Sequence, residues 1–183
     1  MNIDALMKIA AGNPADDAYA MANRAIDLVT PFIESHEGFR GGAYWDKIGK
    51  KWTVGHGHTH IPDPKTGKMR TVVRGDRIGR AASSALVKQR VRQNAAKLSG
   101  VEWTRTLSPG ALAALYDVAY NAGTGALSAS KSPSLNRKMN AKGANREAVV
   151  WSEIPTYRTS GGKVVRGLAN RRADAVRTFR NSK

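Results

Sequence analysis

Cysteine is absent from the 183 residues, so no disulfide stabilises the fold and no thiolate is available as nucleophile or metal ligand. That composition fits a protein folded in a reducing cytoplasm. Long apolar runs are missing too. The longest uncharged stretch near the N-terminus, residues 9–15, is interrupted by Asn13 and Pro14, far short of the roughly 20 residues of a membrane-spanning helix. Asp4 stands where a secretory signal carries basic charge, so neither a signal peptide nor a signal anchor is read. Acidic residues are scarce: 14 Asp and Glu face 30 Lys and Arg, for a formal net charge of +16.

Such a charge concentrates a chain around polyanions: nucleic acid, anionic lipid, lipopolysaccharide or an acidic wall polymer. Charge alone favours nucleic acid, yet no helix-turn-helix, zinc or RNA-binding motif accompanies it. The charge is uneven, with residues 1–30 slightly acidic and residues 135–183 strongly basic. An apolar fraction of 41% and an aromatic share of 7% describe a folded chain, long enough for one domain or one two-lobed domain.

Ile3, Leu6, Met7 and Ala10, then Ala18, Met21, Ala22, Ala25, Ile26 and Val29, recur at helical spacing, divided at Gly12-Asn13-Pro14. Thr30-Pro31 reads as an N-cap and first helical position, opening a short helix over residues 32–37 that Gly38 stops. From residue 43 the pattern turns to strands: Tyr44, Trp45, Trp52, Thr53 and Val54 flank a turn at Gly49-Lys50-Lys51. Residues 61–79, with Pro62, Pro64, Gly67 and Gly75, read as a loop or a small third strand. A long helix follows over residues 80–98, with Ala82, Ala85, Leu86, Val91 and Ala95 as its apolar side and Lys88, Arg90, Arg92 and Lys97 opposite. Ser108-Pro109 caps a helix carrying Leu112, Leu115, Val118 and Ala119, and shorter helices follow at 135–140, 145–154 and 168–180. The fold class is therefore mostly helical α+β: a small β lobe over residues 43–79, a long connecting helix over 80–98, and a helical lobe over 101–180.

Within this frame, Glu37 ends a helix, Asp46 opens a hairpin, and Thr53 lies on the returning strand. Glycosidic cleavage needs an acid to protonate the leaving oxygen and a carboxylate on the other side of the sugar. A helix end beside a hairpin can hold such a pair across a cleft. Glycines at 38, 55 and 57 let backbone and sugar approach closely.

The blocks Glu37-Gly38-x-Arg40, Tyr44-x-Asp46 and Thr53-x-Gly55-x-Gly57-His58-Thr59, in this order, resemble the phage-type lysozymes of glycoside hydrolase family 24. Gly75-x-x-Ile78, Tyr120-Asn121-Ala-Gly123-Thr-Gly125 and Gly161-Gly162-Lys163-x-x-x-Gly167-Leu168-x-x-Arg171-Arg172 extend the similarity over residues 30–180, leaving residues 1–29 as an N-terminal helical extension. The resemblance implies a lysozyme-like two-lobed fold and a muramidase that hydrolyses peptidoglycan with inversion, without cofactor or metal. It further implies Glu37 as general acid, Asp46 as the carboxylate that activates water, and Thr53 as the hydroxyl that positions it. His58 would buttress the hairpin, Arg171 would pair with the catalytic glutamate, and Asn121 would hydrogen-bond the sugar. Tyr44 and Trp52 are candidate sugar contacts. The partner implied is the glycan strand, met by a monomer that leaves the host bacterial cytoplasm by an external route such as a holin.

One spacing departs from the pattern. Glu37 to Asp46 is the usual nine steps, but Asp46 to Thr53 is seven where the family has six. The extra residue is expected at the hairpin tip, near Lys50-Lys51, because a slip inside the ladder would turn Thr53 to the opposite face.

Plainer readings compete at several positions. Glu34, lacking a following glycine, reads as a surface helix charge. His56, His58 and His60 alternate as a one-faced metal site would, but without a cysteine the better reading of His58 is a hydrogen-bonded structural residue. Trp151 sits in a helical run with Val150 and Ile154 and reads as core. The basic face of helix 80–98 is a solvated surface or an electrostatic capture surface for wall and outer-membrane anions. A lytic transglycosylase, which uses a single glutamate, leaves Asp46 and Thr53 without a task. A catalytically dead wall-binding module on the same fold is the alternative from another class.

Overall fold

The computed structural model describes residues 14–47 and 49–182. The first helical repeat of the sequence, around Ile3 to Ala10, lies outside the described residues. Among them, no helix is long and apolar enough to cross a membrane.

Helix α1 spans Pro14–Glu37 without interruption. Thr30-Pro31 therefore does not begin a new helix; Pro31 lies inside α1. A proline there removes one backbone hydrogen bond and costs about 3 kcal/mol. Against that stands a stripe of buried side chains running through the proline: Ala25, Ile26, Val29, Phe32 and Ile33. These five recur at one helical face, so burial carries the helix across the weak point. Gly38, at φ +67°, ends α1 with its N–H donating to the Glu34 carbonyl.

Two compact units divide the chain, residues 30–93 and the remainder. In the first, antiparallel strands β1 (Arg40–Asp46) and β2 (Lys51–Gly55) form a hairpin. Strands β3 (His60–Pro62) and β4 (Met69–Thr71) form a second, so residues 61–79 hold two strands rather than one. Val54, Ile61 and Val72 make a small buried cluster, with Ala43, Trp52, Ile78 and Leu86 packed against it. The regular pairing of β1 is interrupted between Arg40 and Tyr44. There the strand turns to the segment 76–78 instead: Ala43 N–H donates to the Asp76 carbonyl, and Ile78 N–H to the Gly41 carbonyl. Arg70 clamps that segment with a two-pronged ion pair to Asp76, both contacts at 2.8 Å. The pairing holds the Asp76 carboxyl down at about 2.

Helix α2 spans Arg80–Leu98. Its buried face is turned from the one that hydropathy suggests. Ser83, Val87, Val91, Asn94, Ala95 and Leu98 are buried, whereas Ala82 and Ala85 are exposed. Alanine is a good helix former on any face, so it marks the core poorly.

In the other unit, α3 (Pro109–Ala122) is capped by Ser108, whose Oγ accepts from Ala111 N–H, and is buried from Pro109 to Tyr120. Gly110 is required: a Cβ there would run into the Phe179 carbonyl oxygen, so α6 (Arg166–Phe179) ends directly on the start of α3. Between them come α4 (Pro133–Met139) and α5 (Arg146–Glu153). A two-rung hairpin follows, β5 (Thr159–Ser160) with β6 (Lys163–Val164), turned by Gly161 and Gly162 at φ +55° and +76°. Both central residues in the left-handed region suit a tight hairpin turn. Trp103, at 3% exposure, is core, while Trp151 is half-buried.

Candidate active site

Glu37 is the last residue of α1, exposed, and set against the turn that follows β2. A Cβ on Gly57 would stand 3.7 Å from Glu37 Oε2, so the glutamate carboxylate rests against a residue without a side chain. The turn is sharp. Val54 and His58 exchange backbone hydrogen bonds at 2.9 and 2.8 Å, with Gly55 at φ +66° and Gly57 at φ +84° inside the loop. Only glycine adopts these angles without strain. The same angles correct one expectation: the strand ends at Gly55, so His56, His58 and His60 do not alternate along one strand face. Among the described residues, no three His, Cys, Asp or Glu side chains are grouped to hold a metal.

Asp46 ends β1 and is half-buried. Its carboxylate folds back over the turn, where a Cβ on Gly49 would come within 2.5 Å of Oδ2. The ladder then runs without slip: Asp46 pairs with Lys51, Trp45 with Trp52, and Tyr44 with Thr53. Paired residues share a face and neighbours along a strand alternate. Asp46, Tyr44 and Thr53 therefore occupy one face of the hairpin. Between Tyr44–Thr53 and Asp46–Lys51 the pairing has no irregularity.

Thr53 is 4% exposed, and its Oγ1 is buried with no hydrogen-bond partner among the described residues. Leaving a hydroxyl so costs about 1–3 kcal/mol, so an orphan of this kind calls for an explanation. Trp52 lies on the opposite face, edge-on to Trp45 at 5.6 Å between ring centroids, and packs on the Val54–Ile61–Val72 cluster. It thus serves the core of the β unit on the side away from Asp46 and Thr53. Tyr44 carries the Arg40 guanidinium over its ring at 4.7 Å.

His58 donates from Nε2 to the Ser83 carbonyl at 3.0 Å, tying the turn to α2. His56, 1% exposed, lies on the same serine: its backbone N–H donates to Ser83 Oγ at 2.9 Å, and its Nδ1 is 2.8 Å from that oxygen. Phe39 packs on the His56 ring, centroids 5.2 Å apart, and the Arg80 guanidinium covers Phe39 at 4.4 Å. Burial pushes both histidines below their ordinary value. Arg80 adds to the effect at His56, and His56 and Arg90 add to it at His58. Ser83 escaped sequence reasoning, and His56 was read there only as a possible metal ligand. The available signal for Ser83 was its register with Val87 and Val91 on the buried stripe of α2.

In the other unit, Arg171 and Arg172 converge on Asp117, which is fully buried in α3. Arg171 Nε donates to Asp117 Oδ1 at 2.9 Å; Arg172 donates to Oδ2, to the Tyr157 carbonyl and to Asn121 Oδ1. The Asn121 amide therefore has its oxygen occupied by a guanidinium. Asp117 does not stand out in the sequence motifs, although an isolated acid amid an apolar helix is a recognisable sign.

The phage lysozyme family model matches residues 34–175 of the chain. No curated relative is detectably similar in sequence. Among solved structures, the active form of the P1 phage endolysin Lyz is 20% identical with a TM-score of 0.62, over 96% of this chain and 91% of that one. The muramidase domain of SpmX from Asticaccaulis excentricus is 21% identical with a TM-score of 0.55, over 82% and 92%. At these identities the likeness carries the fold, which is lysozyme-like, α+β and mostly helical.

Proposed function

Because the chain belongs to the phage lysozyme family, and is thus a peptidoglycan-directed glycoside hydrolase, we propose that it cuts the β-1,4 bond between N-acetylmuramic acid and N-acetylglucosamine with inversion. Glu37 protonates the departing glycosidic oxygen. Asp46 takes a proton from a water on the other face of the sugar, and that water attacks the anomeric carbon. Thr53 holds the water. The observation that carries this reading is the buried, unpartnered Thr53 hydroxyl on the same hairpin face as Asp46. A water engaged there meets the need of the hydroxyl and the need of the reaction at once. Asn121, its oxygen held by Arg172, offers its amide protons to a sugar acetamido oxygen.

A lytic transglycosylase closes an intramolecular anhydro ring and needs no attacking water, so it gives Thr53 no use. Residues 30–180 form the lysozyme domain, with 1–29 as an N-terminal extension. The protein acts as a monomer on the wall from the periplasmic side, causing host lysis after release through a holin, and its +16 charge holds it to anionic envelope polymers.

The test is mass spectrometry of digested peptidoglycan together with proton NMR of the first product. Reducing muramyl ends that appear as the α anomer support the proposal. Anhydromuramyl ends, or a β anomer at first turnover, overturn it. Glu37→Gln is expected to cost at least about 10²-fold in rate with the fold intact, and Glu34→Gln to be nearly silent.

A further inference from the structure

Ser83 Oγ has three close polar neighbours: the His56 backbone N–H at 2.9 Å, His56 Nδ1 at 2.8 Å and His58 Nε2 at 3.0 Å. Proton counting fixes their roles. His58 Nε2 also meets the Ser83 carbonyl oxygen at 3.0 Å, and a carbonyl can only accept, so Nε2 carries the proton. The two lone pairs of Oγ are then filled by the His56 N–H and the His58 Nε2–H. Its own proton has one remaining acceptor, His56 Nδ1. His56 Nδ1 is therefore unprotonated and its proton sits on Nε2, an atom buried with no hydrogen-bond partner among the described residues. The opposite tautomer would crowd three donors onto two lone pairs and strand the serine proton. His56 is thus neutral, and each imidazole fills one slot of a single hydroxyl.

This hydroxyl also governs the turn beside Glu37. A Cβ on Gly55 would collide with Ser83 Oγ, so the loop is pressed against the serine, and Gly57, two residues on, faces the Glu37 carboxylate. We propose that Ser83 is a positioning residue for the reaction: by holding His56 as a neutral tautomer, it keeps a cation from forming there, in the loop that walls the catalytic acid. This rests on Glu37 being the general acid, which must hold its proton to work. An imidazolium in that loop would favour the ionised carboxylate. The other charges facing the pair are Glu34 and Glu37 from α1 and Arg80 and Arg90 from α2. The lowering of both histidines by burial agrees with neutral rings.

The experiment has two readouts on the full chain. Nitrogen-15 imidazole spectra from about pH 8 to 5 report tautomer and charge directly. The pH profile of kcat/KM on a short soluble muropeptide reports the acid. In the wild type we expect His56 with Nε2 protonated and Nδ1 an acceptor, remaining neutral below about pH 6. In Ser83→Ala, His56 takes up a proton in that range, and the alkaline limb of the profile moves down by about one pH unit. Adding His56→Leu returns the limb to its wild-type position, which a merely structural defect would not do. Should Ser83→Ala fail to fold, Ser83→Cys keeps the volume while weakening the hydrogen bonds. A wild-type His56 protonated on Nδ1, or an alkaline limb unmoved in the folded serine variant, overturns the proposal. Glu37→Gln separates the two readings: if it stays active, Glu37 is not the acid, and the spectra alone decide the role of Ser83.

Discussion

The Asp46 carboxylate is seated over Gly49 so closely that a single added carbon at residue 49 would lie 2.5 Å from Oδ2 and 2.9 Å from Lys51 Cε. Both obstacles are ends of side chains rather than backbone, so a substitution there moves the carboxylate and leaves the hairpin standing. Gly49→Ala is expected to lower kcat at least about tenfold with KM and Tm little changed, because a small misplacement of a reacting group is costly. Steady-state kinetics on soluble muropeptide beside a thermal melt checks this. Unchanged kcat would remove Asp46 from the reaction.

Thr53→Val offers the converse test. Removing a buried hydroxyl that has no partner among the described residues is nearly neutral or stabilising for the fold. Activity should fall by about 10²-fold, the lower end of what a positioned proton-transfer arrangement contributes. A variant that is less stable yet fully active would show the hydroxyl to be structural.

The two hairpin residues were legible in the sequence because their motif and strand alternation act locally. The register that keeps Thr53 beside Asp46 followed from the same alternation, since one slip would reverse every side chain between Lys51 and Gly55. What stayed hidden depended on tertiary packing. The apolar stripe through Pro31 outweighs a local break signal, and no count of neighbours in sequence weighs the two. Ser83 looks like a surface residue until the turn at Gly55–His58 is seen folded over it. The β5–β6 hairpin is masked in the sequence because Gly161-Gly162 reads as part of a family signature rather than as a turn.

Stability should depend on pH in two windows. Above pH 6.5 the histidines are neutral folded and unfolded, and contribute no dependence. As pH falls below 6.5, the unfolded chain binds protons that folded His56 and His58 refuse, so stability is lost until their lowered folded values are passed. A second loss follows between 3.8 and about 2, where Asp76 is protonated in the unfolded state first and its stabilising pairing with Arg70 is given up last. Urea melts at about pH 8, 6.5, 5, 3.5 and 2 measure both. A His56→Leu variant should flatten the upper window, and an unchanged slope there would contradict the buried neutral ring.

Asp117→Asn should damage stability more than any of the other substitutions. It leaves Arg171 and Arg172, 7% and 1% exposed, without the carboxylate they share. Breaking a buried pair by removing one partner costs about 3–5 kcal/mol. Chemical denaturation provides the number, and a loss under about 1 kcal/mol would mean that the guanidinium groups find other acceptors.

The same cluster sets a timetable for synthesis. Asp117 leaves the ribosome well before its two arginines, the separations along the chain being 54 and 55 residues. Until α6 emerges, the nascent α3 carries an acid that cannot be buried without a counter-charge. Gly110 likewise waits for the Phe179 carbonyl, at the last residue of α6. A stop codon anywhere before Arg171 therefore removes both counter-ions of Asp117 at one stroke, so a chain ended there is expected to fail as a fold before it can be tested as an enzyme.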